Sequence, residues 1–301
     1  MSKTCIIIAG PTAIGKTTLA LEIANHFKTE IISADSRQCY KELNVGVAKP
    51  STAQLASVHH YFINTNTIHE NISAAYFESY ALHAVHEVFL KNEVAVMVGG
   101  TGLYIKAFCE GLDLIPEIDD NIRTHIIKSY QQNGLDWLQQ EVQEKDPEFF
   151  INGETGNPQR LMRALEVVLS SGRSIISFQS KSKKERDFKI IKIGLECSRD
   201  QLYERINIRV DQMISAGLLD EVKMLVPFKH LNALQTVGYK ELFSHLEGLI
   251  SLQEAITLIK QHTRHYAKRQ MTWFKKEDMA WINVEEENVL QKSLNYLHAN
   301  P

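Results

Sequence analysis

The chain has 301 residues, of which 44% are hydrophobic and 23% are charged. This length allows one large hydrophobic core, or a core domain with an insertion. The formal net charge of −3 excludes a uniformly basic nucleic-acid binder, although local basic patches can still bind phosphates. No apolar run approaches the ~20 residues of a membrane-spanning helix, so we expect no membrane segment.

Predicted strands and helices alternate in the first third of the chain. This alternation predicts an α/β fold, a doubly wound parallel sheet whose ligands bind beyond the carboxyl ends of the strands. The last strand is a continuous apolar run, which is typical of burial on both faces. The predicted elements are strand Thr4–Ala9, helix Lys16–Phe27, strand Glu30–Ala34, helix Ser73–Lys91 and strand Val94–Val98.

A phosphate-binding loop joins the first strand to the first helix. Residues 10–17 read G-P-T-A-I-G-K-T, which matches the pattern G-x-x-x-x-G-K-[ST]. In such a loop, backbone N–H groups and a helix N-terminus converge on an anion, lysine adds a charge, and the last hydroxyl can ligate Mg²⁺. The predicted diphosphate-binding residues are Gly10, Pro11, Thr12, Ala13, Ile14, Gly15, Lys16 and Thr17.

The pattern changes to helices after residue 113. Helices are predicted at Asn121–Gln132, Leu135–Lys145 and Pro158–Ser171, followed by a polar, basic linker at 180–187. Strand Lys189–Leu195 then resumes the sheet. We therefore predict a discontinuous P-loop NTPase-like core, residues 1–113 and 189–301, with an all-helical insertion domain, residues 114–188. The elements expected after that strand are helices Arg199–Ala216, Leu218–Pro227 and Leu252–Phe274, strand Met279–Val284 and a terminal helix.

Two absences argue against a standard ATPase or GTPase. Strand Val94–Val98 is followed by Gly99-Gly100-Thr101 rather than by the aspartate that helps to hold Mg²⁺ in those proteins, and no N-K-x-D tetrapeptide occurs. The available carboxylate is Asp35, after strand Glu30–Ala34, whose end we expect next to the phosphate loop. Asp35 is thus a candidate general base or Mg²⁺-linked carboxylate, or alternatively an ordinary helix or turn cap.

A series of motifs resembles the tRNA dimethylallyltransferases, the isopentenyltransferase family that prenylates adenosine-37 beside the anticodon. Each motif is weak alone, but their order along nearly the whole chain is specific. The motifs are Gly10–Thr17, Ser33-Ala34-Asp35-Ser36, Gly46–Pro50, His59-His60, Val98–Tyr104, Asn157–Leu161, Thr236–Lys240 and Lys268–Phe274.

The resemblance implies a specific reaction. The phosphate loop would hold the diphosphate of dimethylallyl diphosphate, with Mg²⁺ as the cofactor and Thr17 as its ligand. Asp35 would accept the proton from N6 of the adenine, and Thr101 would hydrogen-bond the reacting groups, unless it only caps a helix. The dimethylallyl group would go to adenosine-37 of tRNAs that read codons beginning with U.

The resemblance also implies that the anticodon stem-loop of tRNA is the partner. Adenosine-37 must leave its stack to reach the phosphate loop. We expect the protein to act as a monomer in the cytoplasm, where its scattered cysteines stay reduced. The implied tRNA-binding residues are Asp35, Ser36, Arg37, Gln38, Thr101, Arg123, Gln159, Arg160, Leu161, Met162, Arg163, Gln235, Thr236, Val237, Gly238, Tyr239, Lys240, Lys268 and Arg269.

Three alternative functions use the same loop. An adenylate or free-nucleotide isopentenyltransferase needs no large RNA-binding insertion. A P-loop small-molecule kinase would consume ATP and has no need of Pro158–Leu161 or Thr236–Lys240. A non-catalytic RNA-binding switch would bind nucleotide without forming a product.

Overall fold

The computed structural model describes residues 3–180 and 182–300. Lys181, in the predicted linker at 180–187, lies outside the described residues. The strands are β1 (Thr4–Ala9), β2 (Ile31–Ala34), β3 (His60–Tyr61), β4 (Val94–Gly99), β5 (Lys189–Glu196) and β6 (Ala280–Asn283). The α-helices are α1 (Lys16–Phe27), α2 (Thr52–Ser57), α3 (Ala74–Phe89), α4 (Gly102–Glu110), α5 (Asp120–Lys145), α6 (Pro147–Asn152), α7 (Pro158–Ser171), α8 (Arg199–Ser215), α9 (Leu218–Leu225), α10 (Tyr239–Leu246), α11 (Leu252–Phe274) and α12 (Val289–Ala299).

All six strands lie in one parallel sheet in the order β3-β2-β4-β1-β5-β6. The central strand β1 is buried on both faces, because Cys5 and Ile7 pack into one hydrophobic cluster while Ile6 and Ile8 pack into another. This alternation is what a parallel sheet covered by helices on both faces requires. The predicted doubly wound α/β fold is confirmed.

The strand order corrects one expectation. Strand β4 lies between β1 and β2, so β2 does not end directly next to the phosphate loop.

Four short elements were not predicted from sequence: α2, α6, α10 and β3. Each is too short to show a periodic pattern of hydrophobic residues. By contrast, the predicted bounds of β1, α1, α7 and α11 agree with the structure.

The chain divides into two compact units, residues 1–110 with 185–301 and residues 111–184. The second unit contains α5, α6 and α7, and its own core includes Ile126, Leu138, Phe149 and Leu161. Helix α5 is interrupted at Gly134, whose backbone is not helical, as the two predicted helices on either side indicated. Among the described helices, none is both long enough and apolar enough to cross a bilayer.

A buried carboxylate in α9 organises a loop of the α/β unit. Glu221 is 7% exposed and accepts hydrogen bonds from the backbone N–H groups of Asn44 (3.0 Å), Val45 (2.8 Å) and Gly46 (3.1 Å). It also accepts one from the hydroxyl of Tyr239 at 2.6 Å. Burial, followed by the charge of Glu221, raises the pKa of Tyr239, so this tyrosine stays a neutral donor.

Replacing Glu221 should destabilise the protein. We expect Glu221→Ala to lower the free energy of unfolding by about 3 kcal/mol, because several buried donors lose their acceptor. Glu221→Gln keeps one acceptor oxygen and should cost less. Urea unfolding measures both variants, with Glu204→Ala on an exposed position of α8 as the matched control. A loss for Glu221→Ala no larger than the control's would contradict this role.

Candidate active site at the carboxyl ends of the strands

The loop between β1 and α1 forms a cradle of backbone N–H groups. Ala13 has φ 66° and Gly15 has φ 105°, and such left-handed residues turn successive N–H groups toward one side. The backbone N–H groups of residues 13–17 donate to no described residue. Ile14 is 1% exposed, so its side chain belongs to the core and only its backbone can face an anion.

Two of the predicted diphosphate-binding residues, Pro11 and Thr12, offer no available backbone N–H to an anion. Pro11 has no N–H, and its carbonyl instead accepts a hydrogen bond from Lys16 Nζ at 2.6 Å. The N–H of Thr12 donates to Oε1 of Gln270 at 2.9 Å. The cradle is therefore formed by the backbone of residues 13–17 together with the ammonium of Lys16.

Lys16 lies in an unusual electrostatic environment. Its pKa is lowered from 10.5 to about 7, chiefly by burial and then by the nearby charge of Arg209, while Asp35 acts in the opposite direction. Burial lowers the pKa of Arg209, and the charge of Asp35 opposes this shift, so all three charges lie within electrostatic range of one another. The structure thus brings the predicted lysine and the predicted carboxylate together.

Asp35 begins a tight turn after β2. Its Oδ1 accepts hydrogen bonds from the N–H groups of Arg37 (2.9 Å) and Gln38 (3.3 Å), so the turn-cap role is present. Within residues 3–180 and 182–300, no group donates a hydrogen bond to Oδ2. One oxygen therefore fixes the side chain, and the other remains able to accept a proton.

Strand β4 separates Asp35 from the phosphate loop, and two glycines keep this separation small. A Cβ on Gly99 would overlap the backbone of Ala34, and a Cβ on Gly100 would overlap Gln270. Directly after them, Thr101 Oγ1 accepts a hydrogen bond from the N–H of Ser36 at 3.1 Å. Thr101 thus holds the backbone next to Asp35.

Sequence analysis did not identify Arg209 or Tyr266 as site residues. Arg209 of α8 lies within electrostatic range of Lys16 and Asp35, and Arg205, one turn earlier, donates to the carbonyl of Ile14 at 3.3 Å. The i, i+4 spacing of these arginines was the only available signal. Tyr266 of α11 bonds Thr101, and burial followed by the charge of Asp35 raises its pKa to about 12.

Several predicted tRNA-binding residues of the α/β unit are engaged within the protein. Arg37 Nη1 donates to the carbonyls of Asn232 (3.0 Å) and Ala233 (3.2 Å). Gln38 Nε2 donates to the carbonyls of Val47 (3.2 Å) and Ala48 (3.1 Å). These side chains connect the Asp35 turn to two other segments and are thereby held in place.

Exposure differs along the other predicted segments of the α/β unit. Gln235, Lys240, Lys268 and Arg269 are exposed, Thr236 and Val237 are half-buried, and Gly238 is buried. Tyr239 is fully buried, which corrects its predicted role, because its side chain cannot contact tRNA in this structure. Trp273 and Phe274 pack in the core, as an amphipathic helix requires.

In the helical unit, α7 presents a mixed surface. Gln159 and Arg160 are exposed, Met162 is half-buried, and Leu161 is fully buried. The predicted side-chain contact of Leu161 is therefore also corrected. The helix begins after Asn157, whose side chain accepts hydrogen bonds from the N–H groups of Gln159 and Arg160.

A buried glutamate holds two of the predicted arginines in the same unit. Glu166 accepts from Arg123 Nε at 3.2 Å and from Arg163 Nη1 at 3.0 Å. The guanidinium groups remain 46% and 36% exposed. Their remaining N–H groups can still donate to phosphates.

A magnesium ion would find few protein ligands here. Among the described residues, no group of three histidine, cysteine, aspartate or glutamate side chains could enclose a metal ion. Mg²⁺ prefers oxygen ligands and usually keeps several waters when it binds next to phosphates. Thr17, the half-buried second residue of α1, carries a hydroxyl oxygen of the kind that such a site uses.

The sheet and the cradle after its first strand define a P-loop-like α/β protein. The model of the IPP transferase family matches residues 38–277. Together with the relatives described next, this match shows that the chain belongs to the IPP transferase family.

Relatives match along nearly the entire chain. A tRNA dimethylallyltransferase of Christiangramia forsetii is 49% identical over 287 residues, 95% of each chain. The tRNA dimethylallyltransferase 1 of Phocaeicola vulgatus is 43% identical over 300 residues, 99% of each chain.

Solved structures share the fold. A tRNA delta(2)-isopentenylpyrophosphate transferase of Staphylococcus epidermidis gives a TM-score of 0.72 at 33% identity, with 99% of each chain covered. A eukaryotic dimethylallyltransferase acting on tRNA gives a TM-score of 0.81 at 24% identity, covering 99% of this chain and 80% of the other. At that identity, the second likeness supports the fold alone.

The pKa of Lys16 predicts a pH dependence of stability. Its pKa falls from 10.5 to about 7 on folding, so above pH 7 the unfolded chain binds more protons than the folded chain. Stability should therefore rise with pH, by up to about 1.4 kcal/mol per pH unit between about pH 7 and about pH 9. Urea unfolding of wild type and Lys16→Met at both pH values measures the effect. An equal change in both proteins would contradict it.

Proposed function

We propose that the protein transfers a dimethylallyl group from dimethylallyl diphosphate to N6 of adenosine-37 in tRNA, forming N6-(dimethylallyl)adenosine and diphosphate. The observation that carries this proposal is the meeting of a phosphate cradle and a carboxylate with one unbonded oxygen at a single edge of the sheet. The names of the relatives, which match nearly the entire chain, support tRNA as the acceptor.

The cradle stabilises the leaving group of the proposed reaction, the diphosphate. When the allylic C–O bond breaks, negative charge grows on the departing diphosphate. The backbone N–H groups of residues 13–17, the ammonium of Lys16 and the guanidinium of Arg209 stabilise that charge, and the folded protein holds them in place before the reaction begins. Preorganised groups of this kind stabilise a transition state without the cost of reorganising solvent.

The low pKa of Lys16 suits this role. Burial and Arg209 make its charge unfavourable, and an arriving diphosphate supplies the counter-charge that restores the ammonium form. When bound, Mg²⁺ would be held by the hydroxyl of Thr17 and would supply further positive charge to the diphosphate.

Asp35 provides for the nucleophile. As the allylic C–O bond breaks and the bond between carbon and N6 forms, N6 must lose a proton. Oδ2 of Asp35 accepts it, while Oδ1 stays bonded to the turn. A positioned general base typically contributes a factor of about 10²–10⁴.

The adenine must leave the anticodon loop to reach Asp35. Bases of single-stranded loops unstack readily and are held by aromatic and guanidinium planes. The guanidinium of Arg269 lies 5.7 Å from the ring of Tyr266, whose hydroxyl is next to Thr101. We propose that this pair borders the path of the flipped base, and that Arg160 and Arg123 of the helical unit bind the stem-loop backbone.

The transfer itself is the first experiment. The protein is incubated with Mg²⁺, labelled dimethylallyl diphosphate and an unmodified tRNA transcript. We expect label in the RNA, and none when adenosine-37 is replaced by guanosine. Parallel assays follow AMP prenylation and ATP hydrolysis. Label in AMP alone, or steady ATP consumption, would instead favour the free-nucleotide enzyme or the kinase.

The variant Asp35→Asn tests the base. Its side-chain oxygen can still accept from Arg37 and Gln38, so the turn should persist, but the basic carboxylate is lost. We expect kcat to fall by about 10²–10⁴-fold with tRNA affinity nearly unchanged. Asp113→Asn, in the helical unit, serves as the control. A near-normal kcat in Asp35→Asn would refute the assignment.

A further inference from the structure

The side chain of Gln270 joins two segments of the site that are far apart in sequence. Its Oε1 accepts a hydrogen bond from the N–H of Thr12, in the phosphate loop, at 2.9 Å. Its Nε2 donates to the carbonyl of Gly100, at the end of β4, also at 2.9 Å. Gln270 is 7% exposed, so both bonds are shielded from water, which strengthens them.

The second segment leads directly to the base. Thr101 follows Gly100, its N–H donates to the carbonyl of Ala34 at 3.3 Å, and its Oγ1 accepts from the N–H of Ser36. These two bonds enclose Asp35. A continuous path of hydrogen bonds therefore runs from the phosphate loop through Gln270 and Thr101 to the backbone on both sides of Asp35.

Helix α11 carries this connection as one rigid element. Tyr266 bonds Thr101, Gln270 bonds Gly100, and Trp273 packs so closely on Gly102 that a Cβ there would overlap its ring. These three side chains are spaced at i, i+4 and i+7, which places them on one face of the helix. Each of residues 100, 101 and 102 is therefore next to one of these three side chains of α11.

The bond to Thr12 has a chemical cost. Every N–H of a phosphate loop is a potential anion donor, and Gln270 occupies this one. A glutamine is suited to the connection, since it offers one acceptor and one donor without charge. The N–H of Thr12 is therefore not available to the diphosphate. Its bond to Gln270 instead fixes the distance between the phosphate loop and the turn that holds Asp35.

We propose that Gln270 is a positioning residue that sets the phosphate loop, and hence the leaving group, relative to Asp35. This inference rests on the proposed transfer reaction. Gln270 touches neither substrate, and it acts through Thr12 and Gly100. Its effect should appear in the reaction step, because small displacements of reacting groups reduce the rate strongly even when each substrate still binds.

Two substitutions of Gln270 test the proposal. Gln270→Leu removes both hydrogen bonds at similar volume. Gln270→Glu keeps the acceptor for Thr12 but, when ionised, places an oxygen against the carbonyl of Gly100. Gln261→Leu and Gln261→Glu, at an exposed position of the same helix, are the matched controls. The measurements are kcat and the KM values for dimethylallyl diphosphate and tRNA, well below each variant's melting temperature.

We expect both Gln270 variants to lose about 10–100-fold in kcat, with KM values within about threefold of wild type. The ratio of the wild-type kcat to that of Gln270→Glu should decrease as the pH falls from about 8 to about 6. At the lower pH, the protonated glutamate side chain can again donate a hydrogen bond to the carbonyl of Gly100. Gln270→Leu should show no such recovery.

The other outcomes overturn the inference. A lower melting temperature with unchanged kcat would make Gln270 a structural brace only. A changed KM for dimethylallyl diphosphate with unchanged kcat would confine its role to the phosphate loop. Absence of tRNA labelling by wild type and the Gln261 controls would instead mean failure of the proposed function, which the same assay therefore distinguishes.

Discussion

The active site depends on keeping a carboxylate near two cations without letting it pair with them. In the proposed reaction, Lys16 and Arg209 are positive to stabilise a diphosphate, whereas Asp35 keeps one oxygen available for a proton. The strand order meets both needs, because β4 separates β2 from β1 by two strand spacings, about 10 Å. At that separation, opposite charges attract by about 2 kcal/mol at an effective dielectric constant of 20. This attraction stabilises the charged groups but does not bring the side chains into contact.

Strand β4 can serve as this spacer because of how it ends. ATPases and GTPases use an aspartate after such a strand to help hold Mg²⁺. Here β4 ends in Gly99 and is followed by Gly100, and neither position leaves room for a side chain. The carboxylate comes from β2 instead. In the proposed reaction, this carboxylate serves the incoming amine rather than a metal ion, as transfer to an amine requires.

Local patterns predicted most of the fold, since periodicity and capping are encoded within one segment. Helix α7 begins after Asn157, which caps it, and ends at Gly172 in a left-handed conformation, so its bounds follow from sequence. Strand order depends on packing across the whole chain, and no local pattern carries it. The same holds for Gln270, whose partners Thr12 and Gly100 lie 258 and 170 positions away. The phosphate loop and Asp35 were found because each is one short motif, whereas Arg209 and Tyr266 join the site only through tertiary packing.

A motif also does not say which of its residues meet the substrate. Tyr239 lies within one of the motifs that resemble the tRNA dimethylallyltransferases, yet it is buried and bonded to Glu221. Glu221 in turn accepts hydrogen bonds from the N–H groups of residues 44–46. The carbonyls of the next two residues, Val47 and Ala48, accept hydrogen bonds from Nε2 of Gln38, three positions after Asp35. One carboxylate therefore joins two separate motifs and belongs to neither, and Gln38 connects them to the turn that begins at Asp35. Part of what identifies the family in sequence is thus the support that keeps Asp35 in place, and a motif residue can be essential without touching tRNA or diphosphate.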